Sequence, residues 1–135
     1  EYVDEAAALA FEAAETGAGA LLAAADEIMA GRSRRGFCLV RPPGHHATKS
    51  RPMGFCLFNN IAVCARYLRS RHGLDRVAIV DFDVHHGNGT EDIFAELAGD
   101  GRIAESIPTT SSRMRTIARH HWSLTLRSSS TPSGP

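Results

Sequence analysis

The stretch VAIVDFDVHH, residues 77–86, decides the predicted fold. It opens with four apolar residues in a row, a pattern typical of a short strand that is covered on both faces. Acidic and imidazole side chains then follow at every second position: Asp81, Asp83 and His85. In an open α/β sheet, ligands bind just beyond the carboxyl ends of the strands. The stretch therefore predicts a buried strand whose end presents a ligand-binding group of side chains.

One helix is predicted before this strand and another after it. Apolar residues recur at helical spacing over residues 61–71, and Gly73 suits the C-terminal end of that helix. Asn59 or Asn60 can cap its N-terminus by accepting a hydrogen bond from a backbone N–H. Beyond the strand, Thr90 can cap a further helix in the same way. Helical signals therefore flank the strand on both sides in the sequence.

Further elements are predicted nearer the N-terminus. The Ala-rich residues 4–30 favour one helix, or two, because Gly17 and Gly19 weaken its middle. Residues 36–40 form a second apolar run that is long enough for a buried strand. Residues 42–58 form a long loop with many special residues, and such loops are usually functional. The alternation of strands and helices predicts an α/β fold, a parallel sheet flanked by helices.

Composition narrows the function classes. The 135 residues include 15 Lys and Arg against 15 Asp and Glu, so the formal net charge is zero. A strong electrostatic footprint for nucleic acid is therefore absent, and we expect no direct nucleic-acid partner. The longest uncharged apolar run, residues 18–25, is too short to span a membrane. The three Cys lack C-x-x-C spacing, which favours buried thiols in a reducing cytoplasm and predicts a cytoplasmic location.

The acidic and imidazole residues after the strand predict a metal site. If the strand stays extended, Asp81, Asp83 and His85 share one face, because side chains alternate with period two. Carboxylate oxygen and imidazole nitrogen suit zinc, at roughly 2.0–2.2 Å. Two direct ligands are too few, so a third must come from elsewhere in space. Acids at strand ends can also bind magnesium or cap a turn, and the pattern alone leaves these alternatives open.

A second chemical signal lies in the loop, in the run PPGHH at residues 42–46. Of two adjacent histidines near a metal, one can act as general base on a metal-bound water and the other as an electrostatic partner or proton donor. Such a pair needs partners at its far ring nitrogens to fix the tautomers. Asp81 and Asn88 are plausible partners for His45 and His46.

Three segments, RPPGHHA (41–47), MGFCLFNN (53–60) and VAIVDFDVHHGNGTEDIF (77–94), resemble the histone deacetylase and acetylpolyamine amidohydrolase family in order and spacing. Within the family, MGFC and HHGNG most resemble the class II-like zinc deacetylases and bacterial relatives. The resemblance covers residues 1–98 and implies an arginase-like α/β fold, present only as a fragment. Residues 99–135 resemble nothing in the family, and we expect a disordered or out-of-frame tail there.

The resemblance implies zinc-dependent hydrolysis of an acetyl-lysine or a similar acetylated amine to acetate and free amine. On this chain, Asp83 and His85 match two of the family's three zinc ligands. His45 and His46 match its tandem histidines, with His46 favoured as the general base.

Asp81 matches the acid that pairs with the first histidine, and Asn88 stands where some members have an Asp that pairs with the second. Gly54 and Phe55 match the wall of the substrate channel. Residues contributing to the family's potassium site also have counterparts: Asp81, Asp83 and His85.

The family's third zinc ligand and its oxyanion donor lie downstream of anything that matches here. We therefore expect a zinc deacetylase in the parent domain, with this chain incomplete and weakly active or inactive. One alternative is a catalytically dead remnant that acts, if at all, as a binding fragment. Another is an arginase-like hydrolase with two manganese ions, which is disfavoured because the D-x-H-x-D acids of that family are absent.

Overall fold

The computed structural model describes residues 2–95, 103–106 and 122–125. The described helices are α1 (Tyr2–Met29), α2 (Asn60–His72) and α3 (Asn88–Phe94). The described strands are β1 (Arg35–Cys38), β2 (Val77–Val80), β3 (Ile103–Ser106) and β4 (Trp122–Thr125). Strands and helices thus alternate from β1 to α3, as the sequence predicts.

The described strands form two short sheets. β2 pairs with β3 in parallel, which is the arrangement expected of an α/β fold, whereas β1 pairs with β4 antiparallel. Both β3 and β4 lie within residues 99–135, where the sequence pattern predicts no strand. Most of that segment lies outside the described residues, so its nature as an atypical tail stays a prediction.

α1 is one continuous helix, so the alternative of two helices is wrong. Gly17 is buried in the helix, and a Cβ there would stand at ordinary contact distance from its neighbours. The helix ends before Gly31, which takes the left-handed conformation at φ 74°. Its buried stripe, at helical spacing, consists of Ala14, Ala18, Leu21 and Ala25. Three of these four residues are alanines, whose small side chains allow α2 and β1 to pack closely against α1.

By length and composition alone, α1 could also cross a membrane, since an 18-residue window within residues 4–29 reaches a mean hydropathy of 1.2. Core helices of soluble proteins meet the same test, so the finding is weak support for a membrane span. The absence of a membrane segment therefore stays a prediction.

α2 follows its predicted bounds closely. The Asn59 side-chain oxygen accepts a hydrogen bond from Ala62 N at 3.1 Å and caps the first turn. Gly73, at φ 68°, ends the helix. The predicted stripe is buried, and its residues are Ile61, Cys64, Ala65 and Leu68. This stripe packs on Val77 and Ile79 of β2 to form the main core.

Two expectations near β2 are wrong. Val77 and Ile79 are buried, but Ala78 and Val80 are exposed. Among the described residues, the strand is therefore covered on one face and not on both. Thr90 is not a cap, because α3 begins two residues earlier. Its hydroxyl instead lies buried, where it accepts a hydrogen bond from Asn59 Nδ2 at 3.1 Å.

Candidate functional site

The loop that carries the two adjacent histidines is tied to the start of α2. Asn60 Nδ2 donates to the Pro42 carbonyl at 2.9 Å, and Asn59 Nδ2 donates to the Ala47 carbonyl at 3.1 Å. Both asparagines are buried. Because buried carbonyls need donors, these two side chains fix the backbone on both sides of the histidines.

The start of α3 holds the same loop from the other side. The backbone N–H groups of Gly89 and Thr90 both point at the His45 carbonyl, at 2.9 and 3.2 Å. A Cβ at Gly89 would stand 2.3 Å from the Ala47 oxygen, so only glycine permits this approach. The histidine loop is therefore locked between α2 and α3.

His45 and Asp81, called here the inner dyad, form a buried pair. His45 Nδ1 lies 2.9 Å from Asp81 Oδ2, and the side chains are only 1% and 2% exposed. A Cβ at Gly87 would stand 2.3 Å from the same carboxylate oxygen, so a larger residue would displace it. The structure thus brings together the first histidine and the acid that the sequence pairs with it.

His46 and Asn88, called here the outer dyad, are only partly buried. His46 Nδ1 lies 2.8 Å from Asn88 Oδ1, while the other end of that amide donates to Met53 Sδ at 3.2 Å. The His45 and His46 rings are 4.1 Å apart between centroids. A Cβ at Gly54 would stand 2.4 Å from the His46 ring, so the glycine leaves room for it.

The predicted metal ligands lie beyond the end of β2, where local hydrogen bonds hold them. β2 ends at Val80, so the condition under which Asp81, Asp83 and His85 would share one face, a strand that continues through them, is not met. Each acid instead accepts a hydrogen bond from a backbone N–H two residues on: Asp81 Oδ1 from Asp83 N at 3.1 Å and Asp83 Oδ1 from His85 N at 2.8 Å. Such Asx turns compete with strand geometry.

Asp83 and His85 are in direct contact. Their carboxylate oxygen and Nδ1 are 2.9 Å apart, and His85 is 64% exposed against 17% for Asp83. Burial raises the pKa of the Asp83 carboxyl, but hydrogen bonds from the backbone and ring of His85 outweigh it and lower the net pKa. The His85 ring centroid lies 6.1 Å from that of His46.

These two side chains suit zinc in donor type, since they bring one carboxylate oxygen and one imidazole nitrogen, hydrogen-bonded to each other, to a partly open position. Among the described residues, no group of three or more His, Cys, Asp and Glu could hold a metal ion. His86 does not join the group, because its Nε2 lies 2.8 Å from Glu91.

The predicted potassium site shares the same residues. Both carboxylate oxygens of Asp81 are already hydrogen-bonded, one to His45 and one to the backbone N–H of Asp83. No contact within the described residues tests binding of potassium, and the potassium site stays a prediction.

Gly54 and Phe55 form the tip of a tight turn beside the outer dyad. Met53 and Cys56 exchange backbone hydrogen bonds at 2.9 and 3.1 Å, and both tip residues have positive φ, 56° and 64°. Positive φ is uncommon outside glycine. Phe55 is 99% exposed, so it is not part of the core formed by the described residues.

Several residues that build the site were not predicted from the sequence. Met53, Gly87 and Gly89 position the site without having been expected to, and Asn59 and Asn60 were expected only as helix caps. The signal available was their position inside the three family-like segments. Their contacts depend on tertiary packing, which sequence spacing does not encode.

The family model described as the histone deacetylase domain matches residues 6–121, which extends past the predicted boundary at residue 98. Rice histone deacetylase 10, chloroplastic (Oryza sativa subsp. japonica), is 70% identical over 61 residues, covering 45% of this chain and 14% of that protein. The histone deacetylase-like amidohydrolase of Pseudomonas aeruginosa is 49% identical over 84 residues, covering 62% and 22%. The polyamine deacetylase HDAC10 of Rattus norvegicus is 46% identical over 86 residues, covering 64% and 15%.

Among solved structures, the HD domain of HDA15 is similar, with a TM-score of 0.64 and 46% identity. The likeness covers 70% of this chain and 26% of that one. The predicted deacetylase-like α/β fold, present as a fragment, is therefore confirmed. The chain spans between 14% and 22% of the length of the three curated relatives described above.

Proposed function

Because the chain belongs to the histone deacetylase family, we propose that it supplies part of the active site of a zinc-dependent deacetylase. The parent domain hydrolyses an acetylated amine, such as acetyl-lysine or an acetylpolyamine, to free amine and acetate. One observation carries the proposal: the outer dyad faces the contacting pair Asp83 and His85, with 6.1 Å between the rings of His46 and His85.

Asp83 and His85 are the proposed zinc ligands. When bound, zinc would polarise the acetyl carbonyl and acidify water in the site. The backbone N–H of His85 donates to Oδ1 of the Asp83 carboxylate and so limits the rotation of that group. A complete site needs a third protein ligand, so we propose that the isolated chain binds zinc weakly and turns over little or no substrate.

The two dyads have different roles in proton transfer. His46, whose Nδ1 is bonded to the neutral amide of Asn88, accepts a proton from the attacking water at its other ring nitrogen. The Nδ1 atom of His45 is hydrogen-bonded to the buried carboxylate of Asp81, which balances the charge of the ring when the ring is protonated. A histidine of the pair then returns a proton to the leaving amine.

The tip of the turn forms the proposed substrate wall. The exposed ring of Phe55 offers an apolar face to the methylene chain of the acetylated amine. Gly54, which has no side chain, lets the scissile amide approach the backbone beside His46.

The proposal is tested in the full-length enzyme that contains this chain. Replacing both zinc ligands, as Asp83→Ala with His85→Ala, should abolish release of acetate from an acetyl-lysine peptide. The matched control is His86→Ala, which removes a neighbouring imidazole that pairs with Glu91 instead. The control should keep near wild-type activity. Wild-type turnover in the double variant would refute the proposal.

A further inference from the structure

We infer that Met53 is a positioning residue that determines which ring nitrogen of His46 carries the proton. The inference rests on the proposed role of His46 as general base. It starts from the side-chain amide of Asn88, which is engaged at both ends. Its oxygen lies 2.8 Å from His46 Nδ1, and its nitrogen donates to Met53 Sδ at 3.2 Å.

An amide side chain can be turned by half a rotation, which exchanges its oxygen and nitrogen ends. A thioether sulfur accepts hydrogen bonds weakly and has no hydrogen to donate. The NH₂ end of Asn88 is therefore favoured next to Met53, and the oxygen end is favoured next to His46.

The oxygen of an amide can only accept a hydrogen bond. His46 Nδ1 must then carry the hydrogen, which leaves the lone pair on Nε2, where a general base needs it. The inner dyad requires no such device, because either oxygen of the Asp81 carboxylate accepts from His45. Orientation by Met53 matters because an amide, not a carboxylate, occupies position 88.

The backbone keeps Met53 in place for this task. Met53 N donates to the Cys56 carbonyl at 3.1 Å, and Cys56 N donates back at 2.9 Å. The next residue, Gly54, lies against the His46 ring. One short turn therefore fixes both the ring and the group that orients its partner.

The test is nitrogen NMR of the metal-free full chain labelled with ¹⁵N-histidine, at alkaline pH where imidazole is neutral. Protonated and bare ring nitrogens have well separated ¹⁵N shifts, and a His46→Gln variant assigns the signals. We expect a protonated Nδ1 and a bare Nε2 at His46. In Met53→Leu, which conserves volume, the two shifts should move towards each other as the tautomers mix.

Two comparisons separate orientation from general structural damage. Met29→Leu, a similar change on α1 that lies outside the site, should leave the His46 shifts unchanged. In an Asn88→Asp background, Met53→Leu should also have no effect, because a carboxylate accepts at either oxygen. The design does not depend on enzymatic activity, so a correct tautomer in an inactive enzyme would contradict the proposed function only.

Three results would overturn the inference. The first is a protonated Nε2 in the wild-type chain, which requires no variant. The second is an unchanged pattern in Met53→Leu. The third is an equal effect of Met53→Leu with and without the Asn88→Asp substitution, which would show that Met53 only supports packing.

Discussion

The inner and outer dyads begin from the same chemistry and differ in their surroundings. Both are imidazoles bonded through Nδ1 to a side-chain oxygen, at 2.9 and 2.8 Å. The inner dyad carries a charged partner and is buried, whereas the outer dyad has a neutral partner and is partly exposed. The comparison teaches that burial and partner charge, not hydrogen-bond length, distinguish the two dyads, and under the proposed function it favours the outer dyad as the proton acceptor.

The largest expected effect breaks the inner dyad. Asp81→Ala would remove the partner that His45 Nδ1 and Asp83 N share, and each such loss costs about 1–3 kcal/mol of unfolding free energy. The matched control is Glu91→Ala, which removes the exposed carboxylate beside His86. Exposed pairs contribute about 0–1 kcal/mol, so the control should unfold close to the wild-type denaturant concentration. Equal losses of unfolding free energy in the two variants would contradict the expected difference between the buried and the exposed pair.

A smaller effect is expected beside the outer dyad. Gly54→Ala places a Cβ 2.4 Å from the His46 ring at φ 56°. Gly73→Ala is the matched control, because its φ of 68° is similar but nothing lies within 4 Å of its Cβ. The two variants share backbone strain, so crowding should make Gly54→Ala less stable by about 1–3 kcal/mol. Similar stabilities in urea would show that the ring moves away freely.

The smallest effect concerns the carboxylate of Asp26, which lies outside both dyads and accepts hydrogen bonds from two side chains. His72 Nε2 donates to Asp26 at 2.7 Å, and the Tyr67 hydroxyl donates to the same carboxylate at 2.9 Å. These bonds, that of His72 first, lower the pKa of Asp26 from its ordinary 3.8. Their stabilisation is therefore full above that value and is lost as pH falls through the lowered pKa.

Replacing this carboxylate, as Asp26→Asn, should lower the melting temperature slightly at neutral pH and reduce its fall below about pH 4. The matched control is Asp75→Asn, which removes the same charge from an exposed position beyond α2. Thermal unfolding followed by circular dichroism across this range measures both variants. An acid response identical to wild type in Asp26→Asn would contradict the cause assigned to the shift.

Much of the local structure could be predicted from sequence. Val77–Val80 is bounded as predicted because a short apolar run meets acids at once. The bounds of α2 lie within one residue of the prediction, since Asn59 and Gly73 have strong terminal preferences. These signals are local, so spacing alone contains them.

Other features depend on competing hydrogen bonds or on contacts between residues far apart in the sequence. The strand after Val80 stops because Asp81 and Asp83 bind the following backbone N–H groups, which a period-two argument ignores. Thr90 is a good cap in isolation, yet its hydroxyl is used by Asn59. The antiparallel partner of β1 lies far along the chain, and pairing at that distance leaves no periodic signal.

Phe55 leaves apolar surface exposed that a binding partner could bury. The tight turn keeps an aromatic ring surrounded by water in the free chain, and each Å² of apolar surface that a partner removes from water yields roughly 25 cal/mol. Such a surface responds to the area that covers it and not to the identity of the atoms. The ring therefore favours any apolar partner of sufficient area, and selection among such partners requires polar groups elsewhere.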